Sequence, residues 1–221
     1  MQYLYFPLAG AKIVELKGDE YRYLAKVRRV RQNERVHLRN LEDETLYSYE
    51  VIKIDRRVIQ LSLSDSQTLK IAPKRWFHLG WAMIEPKNIQ KTLPALNEIG
   101  VSKITFFYGE RSQKSYKLDL EKLKKIVINS SQQSGRSEMM ELDFCDNLPS
   151  FLEKNPDSFM LNFSENLIKK SSNIDTIVVG SEGGFTQSER ELFGQRVVGL
   201  DSNIILQSHT ATVAVSSITL L

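Results

Sequence analysis

The sequence predicts an α/β protein in two parts: a small β-barrel over residues 1–72, then a domain with a mainly parallel sheet over residues 73–221. Two observations predict this architecture. The N-terminal third consists of short apolar segments separated by polar turns, as in small barrels and sandwiches. From Trp76 onward, apolar segments alternate with helical stretches, which is typical of a parallel sheet covered on both faces.

In the first part, three segments are predicted as strands because they are rich in Val, Ile, Leu and Tyr and partly alternate polar with apolar residues. They span residues 35–41, 46–54 and 57–64. The polar stretch 40–44 is suited to a hairpin turn. Residues 19–30 are the one helix predicted here, and Pro73 marks the end of the β-rich part.

In the second part, five apolar segments are predicted as buried strands, at residues 76–83, 103–108, 158–163, 175–180 and 197–200. The clearest helix spans residues 118–132, where Leu120, Leu123, Ile126 and Val127 recur at helical spacing. No internal repeat is present.

Composition narrows the class of protein. Hydrophobic residues make up 41% and charged residues 26% of the 221 residues, as in ordinary globular domains. Cys145 stands alone and cannot form an internal disulfide, which favours a reducing, cytoplasmic location. No apolar run approaches the length of a membrane span, and the N-terminus lacks signal-peptide features. These features argue against secreted, membrane and disordered classes.

The net charge of +3 conceals a strong asymmetry along the chain. Residues 1–73 carry 13 basic and 10 acidic side chains, residues 74–136 carry 12 and 5, and residues 137–221 carry 5 and 12. A basic front and an acidic back indicate a polyanionic partner that meets only part of the surface. Chance clustering of solvated charges is the alternative.

The basic front contains a dense cluster against the single acid Glu34. Its members are Arg22, Lys26, Arg28, Arg29, Arg31, Arg35 and Arg39. Arginine binds phosphate through its planar fork and stacks on bases, so the cluster favours nucleic-acid binding over a merely solvated face.

A glycine-rich loop follows the predicted strand 175–180 and precedes a helix whose start is marked by a capping box of Thr186 and Glu189. Ligands of open α/β sheets bind at such carboxyl ends, although a plain tight turn is the alternative. The loop lacks the dinucleotide fingerprint, the Walker A lysine and the spacing of a nucleophile elbow. His37, His78 and His209 lack ligand spacing, so no metal site is predicted.

Two further segments have both a structural and a functional interpretation. Residues 203–211 place an apolar, strand-like run before a small polar cluster and a helix to the C-terminus, as either a buried strand with a helix cap or a binding loop. Residues 130–136 end the basic helix in small and amide residues. They read either as a helix end capped by Gly135 or as groups that contact a uracil edge or a phosphate.

Taken together, these pieces resemble the small-subunit rRNA uridine-N3 methyltransferases, a family of the trefoil-knotted (SPOUT) class. Residues 180–186 with Glu189 resemble the family's G-P-E-G-G-F-S-x-x-E loop, and residues 206–211 its L-R-x-E-T-A segment. Residues 97–101, 110–112 and 132–136 are similar to its E-L-G-V, R-S and E-Q-S-x-R motifs, and residues 27–29 to V-L-R in its N-terminal barrel. The motifs follow the family's order over nearly the whole chain.

The resemblance implies a PUA-like β-barrel RNA-binding domain (1–72) and a knotted SPOUT methyltransferase domain (73–221) that acts as a homodimer. It implies S-adenosylmethionine as cofactor, 16S rRNA within the small subunit as partner, and neither metal nor membrane. Ser181 stands where the family has Pro. Gln207 and His209 replace an Arg and a Glu, which removes a charge pair and puts any role of those two charges in doubt.

The implied site residues fall into three groups. Arg136 is expected to stabilise the anionic uracil or a phosphate, and Glu182 to accept the proton or organise the loop. The cofactor is expected to contact Leu161, Gly180, Glu182, Gly183, Gly184, Leu200, Ile205, Leu206, Gln207, Ser208, Thr210 and Ala211. RNA is expected to contact Arg22, Lys26, Arg28, Arg29, Arg31, Arg111 and Arg136.

The function expected from the resemblance is methylation of uridine N3 in 16S rRNA. The alternatives are a non-catalytic or degenerate RNA-binding protein of the same fold, and a methyltransferase for another RNA or for a ribose 2′-hydroxyl.

Overall fold

The computed structural model describes residues 2–221, which form two compact units. One unit contains the chain up to Ala72 together with Ile128–Met139, and the other contains Pro73–Val127 and Met140–Leu221. Over the described residues, every helix is too short or too polar to cross a membrane.

The N-terminal unit is built on a five-stranded mixed sheet. Its strands are β1 (Leu4–Tyr5), β2 (Ile13–Leu16), β3 (Arg35–Arg39), β4 (Thr45–Ile54) and β5 (Ile59–Thr68). They lie in the order β1-β3-β4-β5-β2, with β1 parallel to β3 and the other neighbours antiparallel. The three predicted strands are confirmed. The two edge strands β1 and β2 are too short to give a readable pattern.

The hairpin turn between β3 and β4 is confirmed, and the side chain of Asn40 supports it. Asn40 Oδ1 accepts hydrogen bonds from the backbone N–H groups of Glu42 (2.9 Å) and Asp43 (3.1 Å). Such an Asx turn replaces backbone hydrogen bonds that the reversing chain cannot make.

The predicted helix of this unit is present, but most of it is π-helical. It begins as α1 (Gly18–Tyr21) and continues as a π-helix over Arg22–Arg28, ending where Arg29 takes a left-handed φ of 55°. Leu24 is fully buried, whereas Val27 is 70% exposed. π-Helical turns occur frequently at functional sites. Here the turn presents its charged residues to solvent while Leu24 joins the core.

One member of the predicted basic cluster is not on the surface. Arg39 is only 1% exposed, its guanidinium donates to the carbonyls of Glu44 (3.2 Å) and Leu69 (2.8 Å), and it lies over the Tyr3 ring. Burial of a charge is costly unless such hydrogen bonds compensate it. Arg39 is therefore part of the core, and the surface cluster consists of the other six cations.

The C-terminal unit contains a six-stranded, wholly parallel sheet, which confirms the predicted α/β class. Its strands are β6 (His78–Ala82), β7 (Lys103–Tyr108), β8 (Glu141–Asn147), β9 (Phe159–Leu161), β10 (Thr176–Val179) and β11 (Val197–Val198). They lie in the order β11-β9-β10-β6-β7-β8. Strand β8 was not predicted because its mostly polar, half-exposed residues lack the apolar signal of a buried strand.

Five helices alternate with or follow these strands: α2 (Pro86–Ile99), α3 (Leu120–Ser134), α4 (Leu148–Lys154), α5 (Gln187–Glu191) and α6 (Ser208–Leu220). Helix α3 confirms the helix predicted over 118–132, and α6 confirms the predicted C-terminal helix. The strand-like run 203–206 is not a strand. Ile204 and Ile205 are 74% and 78% exposed in a loop, because no sheet edge pairs with them.

The strand order reverses direction beside β6. The chain passes through β6, β7 and β8 to one edge, returns to β9, and places β10 between β9 and β6. In open parallel sheets, ligands bind beyond the carboxyl ends of strands where such a reversal occurs. The segments after β9 and β10 are thus the expected site of binding.

Two distant segments cross closely at Gly199. Its N–H donates to Asn166 O and its carbonyl accepts from the Ile168 N–H, both at 2.9 Å. A Cβ atom at Gly199 would lie 2.2 Å from the backbone oxygen of Ser164. Only glycine therefore permits the segment after β11 to pass so near the segment after β9.

His78 makes stability depend on pH. It is 2% exposed on β6 and its Nε2 lies 2.8 Å from Thr105 Oγ1. Burial, with a contribution from the Lys103 charge, lowers the pKa of His78 from 6.5 to about 4. The unfolded chain thus binds the proton more readily, so stability is complete above pH 6.5 and falls as the pH drops toward 4.

We expect acidification from pH 7.5 to pH 5 to lower the free energy of unfolding by about 2 kcal/mol through this residue. Urea unfolding at the two pH values measures it. The variant His78→Leu should lack this part of the pH dependence. If the wild type and His78→Leu lose equal amounts of stability on acidification, the pH dependence comes from other groups.

Candidate functional site

A cavity of about 700 Å³ lies in the C-terminal unit, beyond the carboxyl ends of β9 and β10. Three loops form its walls: residues 161–164 after β9, residues 179–185 after β10, and residues 200–208 before α6. Arg111, Arg190 and Ala211 complete the lining. Its size is that of a typical small-molecule site.

The glycine-rich loop after β10 is anchored by a buried carboxylate. Glu189 is 3% exposed, and its two oxygens accept hydrogen bonds from the N–H groups of Glu110 and Thr186, each at 2.9 Å. Thr186 Oγ1 in turn accepts from the Glu189 N–H, so the predicted capping box is confirmed. Glu189 therefore joins the loop after β7 to the start of α5.

Arg111 contacts the same loop from the opposite direction. Its Nη1 donates to the carbonyl of Gly183 at 2.8 Å. A Cβ at Gly183 would lie 3.0 Å from Arg111 Cβ, so the close approach favours glycine. Arg111 thus helps to set the shape of the cavity wall, a role that the sequence did not indicate.

A buried hydrogen-bonded chain joins the third wall to the second. The Trp81 indole donates to Ser208 Oγ at 3.0 Å, and the Ser208 hydroxyl donates to the carbonyl of Gly180. Trp81 is fully buried on β6, and Ser208 begins α6. The chain fixes the first turn of α6 against the loop that follows β10.

We expect Ser208→Ala to destabilise the protein by about 2 kcal/mol, because the Trp81 N–H and the Gly180 carbonyl would lose their partner in a buried place. Thermal or urea unfolding measures this effect. The matched variant Ser217→Ala changes a half-buried serine of the same helix and should leave stability nearly unchanged. Equal stabilities for the two variants would show that the chain contributes nothing.

The loops after β9 and before α6 supply exposed apolar groups. Phe163, Ile204 and Ile205 line the cavity and are 75%, 74% and 78% exposed. The Ser202 hydroxyl accepts from the Ile204 N–H at 3.1 Å and shapes the turn between them. Large apolar side chains left this exposed are typical of a surface that a ligand or partner covers.

Three charged side chains line the cavity: Arg111, Glu182 and Arg190. Arg111 is engaged with Gly183, as described above. Glu182 and Arg190 are exposed, and over residues 2–221 neither side chain forms an ion pair or a hydrogen bond. Among the residues that the structure describes, the cavity thus offers one anion and one cation without such a partner, Glu182 and Arg190, beside its apolar wall.

The structure brings together the residues expected to contact the cofactor, with one exception. Thr210 lies exposed on the first turn of α6 and is not part of the lining. Gln207 lines the cavity at the position that precedes α6 and makes no side-chain cap. The sequence did not single out several lining residues, which are Asn162, Phe163, Ser164, Val179, Phe185, Arg190, Ser202 and Ile204. Most of these residues could have been found only because they lie close in sequence to the predicted loops.

Arg136 lies elsewhere, in the N-terminal unit, and is not among the lining residues. It is 4% exposed, and its guanidinium contacts Glu138 at 3.4 Å while its carbonyl accepts from the Tyr3 hydroxyl at 2.6 Å. Burial lowers the pKa of Arg136 and raises the pKa of Tyr3. Gly135, in a left-handed conformation, follows the end of α3 as a helix cap.

The remaining residues expected to contact RNA are at the surface. Arg22, Lys26, Arg28, Arg29 and Arg31 are all exposed on or next to the π-helical segment. Over residues 2–221, no group of three His, Cys, Asp or Glu side chains is arranged to hold a metal ion.

Comparison with protein families gives two matches, one in each part of the chain. Residues 72–220 match the model of an RNA methyltransferase domain, and residues 16–64 match that of an RNA methyltransferase PUA domain.

Relatives match over the full length. The Ribosomal RNA small subunit methyltransferase E of Helicobacter pylori (strain ATCC 700392 / 26695) is 37% identical over 223 residues, 99% of each chain. The protein of the same name from Aquifex aeolicus is 25% identical over 230 residues, 99% of this chain and 98% of its own.

Solved structures agree with this assignment of the fold. The Neisseria gonorrhoeae enzyme of the same name, bound to S-adenosyl methionine, has a TM-score of 0.83 with 22% identity and covers 98% of this chain and 95% of its own. A Legionella pneumophila protein solved with the cofactor SAM has a TM-score of 0.84 with 20% identity, over 99% and 96%. The expected fold class, a PUA-like barrel followed by a trefoil-knotted SPOUT domain, is confirmed.

Proposed function

The chain belongs to the family of small-subunit ribosomal RNA methyltransferases, and we propose that it transfers a methyl group from S-adenosylmethionine to N3 of a uridine in 16S rRNA. The product would be 3-methyluridine.

The observation that carries the proposal is the composition of the cavity wall. Apolar side chains, main-chain groups of a glycine-rich loop and free charges surround one space. Such a wall suits a ligand with an aromatic base at one end and a charged amino acid at the other. The apolar part would hold the adenine, and it is formed by Leu161, Val179, Leu200, Ile205, Leu206 and Ala211.

S-adenosylmethionine, when bound, supplies a methyl group on a positively charged sulfur. The proton on uridine N3 must leave before or during attack on that methyl, so the site needs a proton acceptor. Glu182 suits this role because it lines the cavity and its carboxylate forms no hydrogen bond or ion pair over residues 2–221. The loop is already organised by Glu189 and Arg111, which favours proton acceptance over loop organisation for Glu182.

N3 lies on the base-pairing edge of uracil, so the target uridine must be unpaired or flipped out before it reaches the cavity. We propose that the N-terminal domain (1–72) binds the RNA around the target uridine. Its exposed arginines on or next to the π-helical segment, from Arg22 to Arg31, suit phosphates and bases. The role of Arg136 toward RNA stays a prediction and requires its guanidinium, buried in this structure, to become accessible.

We also propose a homodimer acting in the cytoplasm on rRNA within the small subunit, as the family resemblance implies. The exposed Phe163, Ile204 and Ile205 beside the cavity are consistent with a surface that a second copy covers.

Nucleoside mass spectrometry tests the function directly. The protein is incubated with S-adenosylmethionine and either naked 16S rRNA or small subunits from a strain that lacks the activity, and the RNA is digested to nucleosides. We expect 3-methyluridine. A 2′-O-methylated nucleoside would show that the protein methylates a ribose hydroxyl and not the uracil base.

The absence of any methylated product, together with salt-sensitive RNA binding, would favour the degenerate RNA-binding alternative. That alternative is motivated by Gln207 and His209, which leave the start of α6 without a charge pair.

A further inference from the structure

Among residues 2–221, Arg190 is the one cavity-lining cation that neither the family motifs nor the predicted site includes. It lies on α5, one residue beyond the capping Glu189. Its backbone N–H donates to the Thr186 carbonyl at 3.1 Å, which holds its position in the first turn. Over residues 2–221 its guanidinium has no ion-pair or hydrogen-bond partner.

Arg190 differs from Arg111, the other cation that lines the cavity, in the hydrogen bonds that its guanidinium makes. Arg111 already donates to the Gly183 carbonyl at 2.8 Å and supports the loop. Within the described residues, 2–221, Arg190 keeps all of its guanidinium donors available while lining the same space. A planar guanidinium with free donors is suited to a carboxylate, which it binds through two parallel hydrogen bonds.

The charged and the apolar lining residues of the cavity come mostly from different segments of the chain. Most of its apolar residues come from the ends of β9 and β10 and from the loops after β9 and before α6, and one, Phe185, comes from the loop after β10. Glu182 belongs to the loop after β10, and Arg190 belongs to the helix that follows. A ligand that fills both parts carries its aromatic group against the apolar wall and its charged group near Arg190.

We propose that Arg190 binds the α-carboxylate at the amino-acid end of S-adenosylmethionine. The inference rests on the proposed function, because it takes the ligand from there. It also explains how this chain neutralises a carboxylate in a unit whose residues 137–221 carry 5 basic and 12 acidic side chains. Without a local cation, the acidic surroundings would disfavour a negatively charged group.

The experiment compares two ligands that differ only in the amino-acid end. S-adenosylhomocysteine carries the α-carboxylate, and 5′-methylthioadenosine is the same type of thioether without it. Calorimetric titrations with both ligands and with S-adenosylmethionine are run on the wild type, Arg190→Gln and Lys169→Gln. The last variant removes one exposed positive charge from the same unit, away from the cavity.

We expect Arg190→Gln to bind S-adenosylmethionine and S-adenosylhomocysteine about tenfold more weakly, as for the loss of one charge-assisted contact at an exposed site. Its affinity for 5′-methylthioadenosine should equal that of the wild type, and Lys169→Gln should bind all three ligands normally. Arg190→Lys should recover part of the loss, because lysine keeps the charge and loses the fork.

Unchanged binding of S-adenosylhomocysteine by Arg190→Gln would overturn the inference, and so would an equal loss for 5′-methylthioadenosine. If the variant binds the cofactor normally and binds rRNA more weakly, Arg190 contacts an RNA phosphate instead. A wild type that binds none of the three ligands would refute the proposed function itself, a result distinct from the failure of Arg190 alone.

Discussion

Gly199→Ala is expected to destabilise the protein by about 4 kcal/mol or more, or to prevent it from reaching the native fold. The new Cβ would lie 2.2 Å from the backbone oxygen of Ser164, and that oxygen belongs to a segment tied to Gly199 by two backbone hydrogen bonds. A backbone atom cannot rotate away as a flexible side chain can. The clash therefore separates the two segments whose crossing holds the loop after β9 in place.

Thermal unfolding measures the effect, with an expected decrease in Tm of about 10 °C for a chain of this size. Gly194→Ala is the matched control. Gly194 has a φ of 54°, and a Cβ there would meet nothing within 4 Å, so that variant has backbone strain without a clash. It should lose about 1 kcal/mol. Similar losses for the two variants would mean that the crossing at Gly199 has no special role.

Glu182→Gln is expected to lower the rate of methyl transfer by about 100-fold or more, because general-base catalysis contributes at least this much when the acceptor is well placed. Glutamine keeps the size of the side chain and cannot accept a proton. Since the Glu182 side chain forms no hydrogen bond or ion pair over residues 2–221, the loop should keep its structure.

Methyl incorporation into 16S rRNA gives the rate, and calorimetry with S-adenosylmethionine gives the affinity. The control Glu165→Gln removes an exposed carboxylate that does not line the cavity and should leave both unchanged. A Glu182→Gln enzyme of normal rate would exclude Glu182 as the proton acceptor. A rate that falls only in step with cofactor affinity would instead assign Glu182 to binding.

The sequence by itself determined the features that depend on local pattern. Most strands of the two sheets, the helix α3 and the capping box of Thr186 and Glu189 follow from periodicity and from spacing within a few residues. The glycine-rich loop could be placed after β10 for the same reason. These features can be predicted from the sequence because the residues that cause each of them lie within one turn or one strand.

Features with a weak local signal were not predicted. Strand β1 has two residues and strand β2 has four, and β8 exposes most of its side chains. The apolar run 203–206 shows the opposite case, in which a strand-like pattern forms a loop that lines a cavity. An apolar pattern indicates that a segment is covered by something, but it does not show whether a sheet, a ligand or a partner covers it.

The tertiary structure alone decided which side chains meet. It buries Arg39 and Arg136, which the sequence presented as members of basic segments, and it leaves Arg190 free inside the cavity. It also brings Arg111 to Gly183, and Gly199 to the segment after β9. The physical reason is the same in each case. These contacts join residues far apart in the chain, so burial, hydrogen bonding and the cost of a single Cβ arise only once the strands are assembled.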